Sequence, residues 1–182
     1  MSKYGLVISG FGGQGVLFCG YLFAHTAMLE GKKVTWVPSY GVEMRGGTAH
    51  CLVQISDIDI NSPLIEEPDA LLAFNKPSYD KFHHTVKNNG VIIFNKTPTE
   101  NLPPSSSHQL FSIEAGEIAK ELGDNRVANL VIIGAFVKHT KVLYIENIYR
   151  ALEEVLPPHK LNLIDANIKA LKAGHEYDLC SI

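Results

Sequence analysis

The chain predicts an α/β fold: three α/β/α layers around a mainly parallel, mixed sheet. Three observations carry this. Short apolar, β-branched runs alternate with helix-length segments through the first half of the 182 residues. A glycine-dense, uncharged loop, Ser9-Gly-Phe-Gly-Gly-Gln-Gly-Val16, joins the first run to a long apolar stretch. Helical patterns then dominate the C-terminal part.

Gly5–Ser9 reads as the first strand, and the glycine loop turns it into a buried helix over Gly15–Glu30 that closes at Gly31. Lys33–Val37 and Thr48–Ile55 are the next strands. In the latter, Ala49, Cys51, Val53 and Ile55 alternate with Thr48, His50, Leu52 and Gln54, which predicts one more polar face or a place at or near an edge. Ala70–Phe74, Gly90–Phe94 and Gln109–Ile113 complete the strands. Between them, Lys76–Lys87 has Asn75 as N-cap and Pro77 in its first turn, and Asn89-Gly90 ends it. Further helices are expected at Glu114–Leu122, Asn125–His139, Ile145–Leu156 and near Leu161–Ala173. Thr97–His108, rich in proline and serine, is a surface connector. The whole of 1–182 is expected to form a single domain.

Composition narrows the function classes. The chain is 46% hydrophobic and 19% charged with a net charge of -3, which is ordinary for a globular protein and gives no basic footprint for nucleic acid. No apolar stretch near the start is long enough for a secretory signal, and Val16 to Leu29 is shorter than the ~20 residues that span a bilayer. The cytoplasm is the expected compartment, with no membrane partner. Cys19, Cys51 and Cys180 are far apart and form no Cys-x-x-Cys, so neither a disulfide framework nor an iron–sulfur cluster is expected on this chain. Cys19 and Cys51 read as small core residues. His83 and His84 are helix neighbours pointing apart, so no metal site is expected.

Gly10-x-Gly12-x-x-Gly15 fits the dinucleotide fingerprint literally. Gly10 permits a tight turn, Gly12 lets backbone approach an anion, and Gly15 lets the helix pack on the strand. The helix N-terminus then offers free N–H groups and about half a positive charge to a phosphate. The acid that reads an adenosine ribose, roughly 20 residues further on, is missing: the second strand runs into Pro38-Ser-Tyr40, and no acid occurs before Glu43. A nicotinamide site is therefore disfavoured, NADP less so because Ser39 and Arg45 could meet a 2′-phosphate. The competing reading is that the glycines serve close packing.

A second string, Tyr40-Gly-Val-Glu-Met-Arg-Gly-Gly-Thr48, follows the second strand and belongs at the same carboxyl end of the sheet. Arg45 offers a planar fork for phosphate or carboxylate, Glu43 a partner for it, and Gly46-Gly47 close backbone approach. An exposed loop with a solvated Glu–Arg pair is the plainer alternative.

Together, Ser9-Gly-x-Gly-Gly-Gln-Gly15, Tyr40-Gly-x-Glu-x-Arg-Gly-Gly47, Asn75-x-Pro-Ser78 and Asn129 with Gly134-Ala135 resemble the γ subunit of 2-oxoacid:ferredoxin oxidoreductases. The resemblance covers nearly the whole chain without large insertions. It implies a Rossmann-like module of an enzyme that oxidatively decarboxylates a 2-oxoacid on thiamine diphosphate, forms an acyl-CoA and passes electrons through [4Fe–4S] clusters to ferredoxin. Thiamine diphosphate would lie between the α and β subunits. The partners implied are those two, a ferredoxin-like δ subunit and ferredoxin itself. Gly10, Gly12, Gly13, Gln14 and Gly15 would contact CoA or an interface, and Tyr40, Glu43, Arg45, Gly46 and Gly47 would form a second ligand or interface loop. No catalytic residue is expected, and the isolated chain should be inactive. Among substrates 2-oxoglutarate is expected, with pyruvate and branched-chain oxoacids open. The alternatives are an architectural subunit, the small subunit of an indolepyruvate enzyme, and a stand-alone NADP enzyme.

Overall fold

Period-two alternation sorts the strand residues onto two faces. In β1 (Tyr4–Phe11), Leu6 and Ile8 enter the larger core cluster and Val7 a smaller one behind the sheet. The same split runs through β3 (Thr48–Ser56), β4 (Ala70–Ala73), β5 (Val91–Asn95) and β6 (Gln109–Ile113). Cys51, Val53, Ile55, Ala70, Leu72, Ile93 and Ile113 fill the large cluster; Leu71, Ala73, Ile92, Phe94 and Leu110 fill the small one. The computed structural model describes residues 3–39, 48–97, 102 and 106–182.

With β2 (Lys33–Ser39) and β7 (Cys180–Ser181), the strands form one sheet in the order β2-β3-β1-β4-β5-β6-β7. β1, β4, β5 and β6 pair in parallel; β3 runs antiparallel to both β1 and β2, and β7 antiparallel to β6. The mixed, mainly parallel sheet expected from the sequence is present. β3 lies one strand in from the edge, and its apolar residues face α1 (Val16–Leu29) as the alternation predicts. β2 is only half-buried because it is the edge itself. β7 went unread because two residues carry no periodicity. It is fixed by long-range bonds instead: Ile182 N–H donates to the Leu110 carbonyl, and Lys138 Nζ to the Glu176 and Tyr177 carbonyls and the Asp178 carboxylate.

The layers are unequal. α1, α3 (Ala115–Glu121), α4 (Ala128–Thr140), α5 (Ile145–Val155) and α6 (Ile164–Glu176) contribute to the large cluster, whereas among the described α-helices α2 (Lys76–Phe82) alone covers the other face. α2 stops short of the expected Lys87. Its chain tightens into a 3₁₀ turn at His83–Thr85, then Val86 extends into the small cluster and Lys87 N–H bonds to the Pro68 carbonyl. α4 begins three residues late because Asp124 caps a 3₁₀ turn at Asn125–Val127. Pro157-Pro158 likewise starts a 3₁₀ turn over Pro158–Leu163, which moves α6 to Ile164.

Leu130 to Val137 of α4 is buried on every side, with α6 laid across it. Two glycines permit that approach. A Cβ on Gly134 would run into the Leu171 carbonyl oxygen, and one on Gly174 into the Val131 carbonyl oxygen. Neither backbone can yield without parting the helices. Gly134→Ala and Gly174→Ala should each lower stability by about 3 kcal/mol or more in urea denaturation. Gly116→Ala on α3, where the added methyl meets open space, should be neutral or stabilising by about 0.5 kcal/mol.

Candidate functional site

After β1 the chain leaves towards β2, and after β4 towards β5, so the connections diverge at the β1–β4 seam. In parallel sheets this divergence opens a crevice at the carboxyl ends, where ligands bind. The glycine loop stands there. Gln14 N–H closes a turn on the Phe11 carbonyl at 3.2 Å. The Gln14 side chain then ties the two diverging segments together. Its Oε1 accepts from Phe11 N–H at 2.6 Å and from Asn75 Nδ2 at 2.8 Å, and its Nε2 donates to the Phe74 carbonyl at 3.4 Å. Asn75 Oδ1 caps α2 by accepting from Ser78 N–H. One strand further, Asn95 donates to the Phe74 carbonyl and accepts from Ala115 N–H at the start of α3.

The glycines divide by surroundings. A Cβ on Gly10 would press on Gln14, Val16 and Phe74, and one on Gly15 would strike the Asn129 side chain. Gly15 also has φ +74. Gly13 has φ +91 and open space where a Cβ would stand. Clefts of about 240 and 250 Å³ lie on the two sides of the loop. The first is lined by Gly13, Gln14, Asn95, Arg126 and Asn129; the second by Phe11, Gly12, Gly13, Val16 and Phe18. The N-terminus of α1 carries no side-chain cap and no acid in its first turn. Its dipole therefore meets no fixed negative charge of its own.

Of the residues read from the sequence, Gly10, Gly12, Gly13, Gln14 and Gly15 gather at this crevice. Tyr40, Glu43, Arg45, Gly46 and Gly47 lie outside the described residues. The strand ends that flank them, Ser39 and Thr48, stand at this end of the sheet, Thr48 in register with Phe11. Asn95 and Arg126 were missed. A signal for Asn95 exists, because Phe74-Asn-Lys76 and Phe94-Asn-Lys96 close two neighbouring parallel strands with one tripeptide. Arg126 grips Asp124 through both Nε and Nη2, at 2.8 and 2.7 Å.

The thiols are not part of the site. Cys19 and Cys51 are buried, and burial pushes the Cys51 thiol up to about 12 and raises that of Cys19 as well. His83 stacks on Tyr79 with ring centroids 4.7 Å apart, and His50 packs on Phe82. Among the described residues no three His, Cys, Asp or Glu side chains converge as metal ligands.

Comparison with known proteins decides the family. The family described as pyruvate ferredoxin/flavodoxin oxidoreductase matches residues 5–177. The chain belongs to this family. Ketoisovalerate oxidoreductase subunit VorA of Methanothermobacter marburgensis is 38% identical over 93% of the chain, which spans only 35% of that relative's length. 2-Oxoglutarate synthase subunit KorC of Methanocaldococcus jannaschii is 31% identical over 93% of the chain and 90% of its own. The crystal structure of the keto/oxoacid ferredoxin oxidoreductase gamma subunit from Geobacter sulfurreducens superposes with a TM-score of 0.84 at 31% identity, covering 97% of this chain and 96% of that one.

Two outcomes test the geometry. Gln14→Ala and Asn75→Ala should each cost about 1 kcal/mol, and the double variant should cost less than their sum because they share one bond. Arg126 holds the Asp124 carboxyl down to about 2, chiefly through the side-chain bonds and then through its backbone N–H. A depressed folded pKa contributes stability above the unfolded value of about 3.9 that is lost as pH falls through about 2. An NMR titration of Asp124 should show that low midpoint, moved upward by Arg126→Gln.

Proposed function

We propose that the chain is the γ-type subunit of a 2-oxoacid:ferredoxin oxidoreductase. The observation that carries this is the end-to-end correspondence with KorC, of which the chain covers 90%. A match to only 35% of VorA fits the same module placed within a longer polypeptide. The substrate is proposed at the level of a 2-oxoacid. Relatives named for ketoisovalerate and for 2-oxoglutarate match at 38% and 31%, so the expected preference for 2-oxoglutarate is not carried forward. Working beside α, β and δ subunits and ferredoxin, it would act in the cytoplasm; no described helix is long and apolar enough to cross a membrane.

The residues of this chain do not fit a [4Fe–4S] cluster: two of the three thiols are buried on separate elements and the third is exposed on β7. No carboxylate set among the described residues suits the metal that accompanies thiamine diphosphate. Both groups are assigned to partner subunits, and no step of the reaction is derived through them.

The part proposed for this chain is to hold a phosphate-bearing ligand, CoA, at the glycine loop. Gly13 supports that reading over a purely architectural one. Gly10 and Gly15 are accounted for by packing, whereas Gly13 faces open space beside an uncapped helix N-terminus. The Gln14 bonds hold the loop rigid, so little ordering is needed when an anion arrives.

Gly13→Asn tests it, because Asn tolerates a left-handed φ better than other side chains while filling the space. In the assembled enzyme this variant should raise the CoA KM about tenfold with subunit assembly unchanged. An unchanged KM would make the loop architectural. The isolated chain should show no CoA-dependent 2-oxoacid oxidation; activity in it alone would overturn the subunit reading.

A further inference from the structure

Beside the glycine loop, and not part of it, lies a cleft of about 310 Å³ between the start of α4, the end of α5 and α6. Its walls are apolar: Phe18, Leu130, Val155, Leu156 and Leu163. In its lining stands Asn167 of α6, a polar residue only 8% exposed. Its carboxamide forms no hydrogen bond with a described residue and is not among the polar atoms sealed from solvent without a partner, so the amide opens into the cleft. Two other buried polar side chains of this core behave differently: the Ser9 hydroxyl donates to the Ala49 carbonyl and the Thr26 hydroxyl to the Leu22 carbonyl.

Asparagine is a poor residue for a helix interior, and this amide, unbonded by the protein, is left to whatever fills the cleft. Packing therefore does not account for Asn167, but a ligand would. Three charges stand at the cleft: Asp124, Arg126 and Lys160. Arg126 is engaged by Asp124 through two bonds, which leaves that pair neutral. Lys160 has no ion-pair partner among the described residues, so the rim carries one uncompensated positive charge. Apolar walls, one amide and one cation fit a small monoanion with an apolar body. The volume sits at the low end of ligand pockets, which run from about 300 to 1,000 Å³.

We propose that this cleft binds a small apolar carboxylate, with the chain against Phe18, Leu156 and Leu163, the carboxylate oxygen accepting from the Asn167 amide, and Lys160 balancing its charge. The site is independent of the CoA reading. It shares Asn129 and Arg126 with one glycine-loop cleft and Phe18 with the other. A carboxylate bound here would press on the residue that Gly15 packs against.

The test uses the full chain, followed by methyl and amide NMR during titration with hexanoate, and with hexanamide as the uncharged isostere. Hexanoate should give saturable shifts at Leu130, Leu156 and Asn167, with hexanamide about two- to fivefold weaker. Lys160→Gln should weaken hexanoate by a similar factor and leave hexanamide unchanged. Asn167→Leu should weaken hexanoate about tenfold while leaving Tm unchanged or higher, since no described protein group bonds to that amide. Absence of saturable shifts in the cleft, or equal binding to Lys160→Gln, would overturn the proposal. So would a clear fall in Tm for Asn167→Leu, which would mean that the amide serves the fold. Lys160, on the exposed rim, keeps the test decisive if that variant fails to fold.

Discussion

The parallel pairing of β1 with β4, from Leu6 against Ala70 to Ser9 against Ala73, is the constraint on which the rest depends. The two strands are buried on both faces, so helices must cover both, and their connections must leave in opposite directions. That divergence opens the crevice. It also leaves the backbone at the strand ends needing partners, which Gln14, Asn75 and Asn95 supply from three successive connections. The same amides that close the fold at this end therefore shape its candidate site.

The described residues at the crevice are held rigidly by side-chain amides. Cys19 and Cys51 are buried, Cys180 is exposed on β7 away from the crevice, and His83 is occupied by stacking on Tyr79 and a bond to its carbonyl. What the chain offers instead is a positioned loop, an uncapped helix end and adjoining clefts. These are the features on which the proposed ligand-holding role rests. The membership in an oxidoreductase family gives that role its context.

Much of the fold was legible because its elements follow strong periodicities. The alternation of β3 and the continuous apolar runs of β4 and β5 assigned both faces correctly before any contact was known. The failures lie where a single long-range contact overrides local preference. α2 ends early because Val86 is drawn into the small cluster, and β7 exists only because Lys138 and Leu110 fix the chain around it. In the site, the glycines were visible by composition, but which of them pack and which stays open was not. Gly15 is needed for Asn129, more than a hundred residues away, and no local pattern could say so.

By itself the sequence determined the α/β class, the strand faces, the glycine loop and the family, because these rest on local periodicity, backbone permissiveness and motifs in fixed order. Tertiary structure alone decided that Gly13 is the open glycine, that Gln14 binds two diverging segments, and that Asn167 lines a cleft without a partner. Each of those depends on which distant atoms come within about 3 Å of a group, and that distance is set only when the helices close over the sheet.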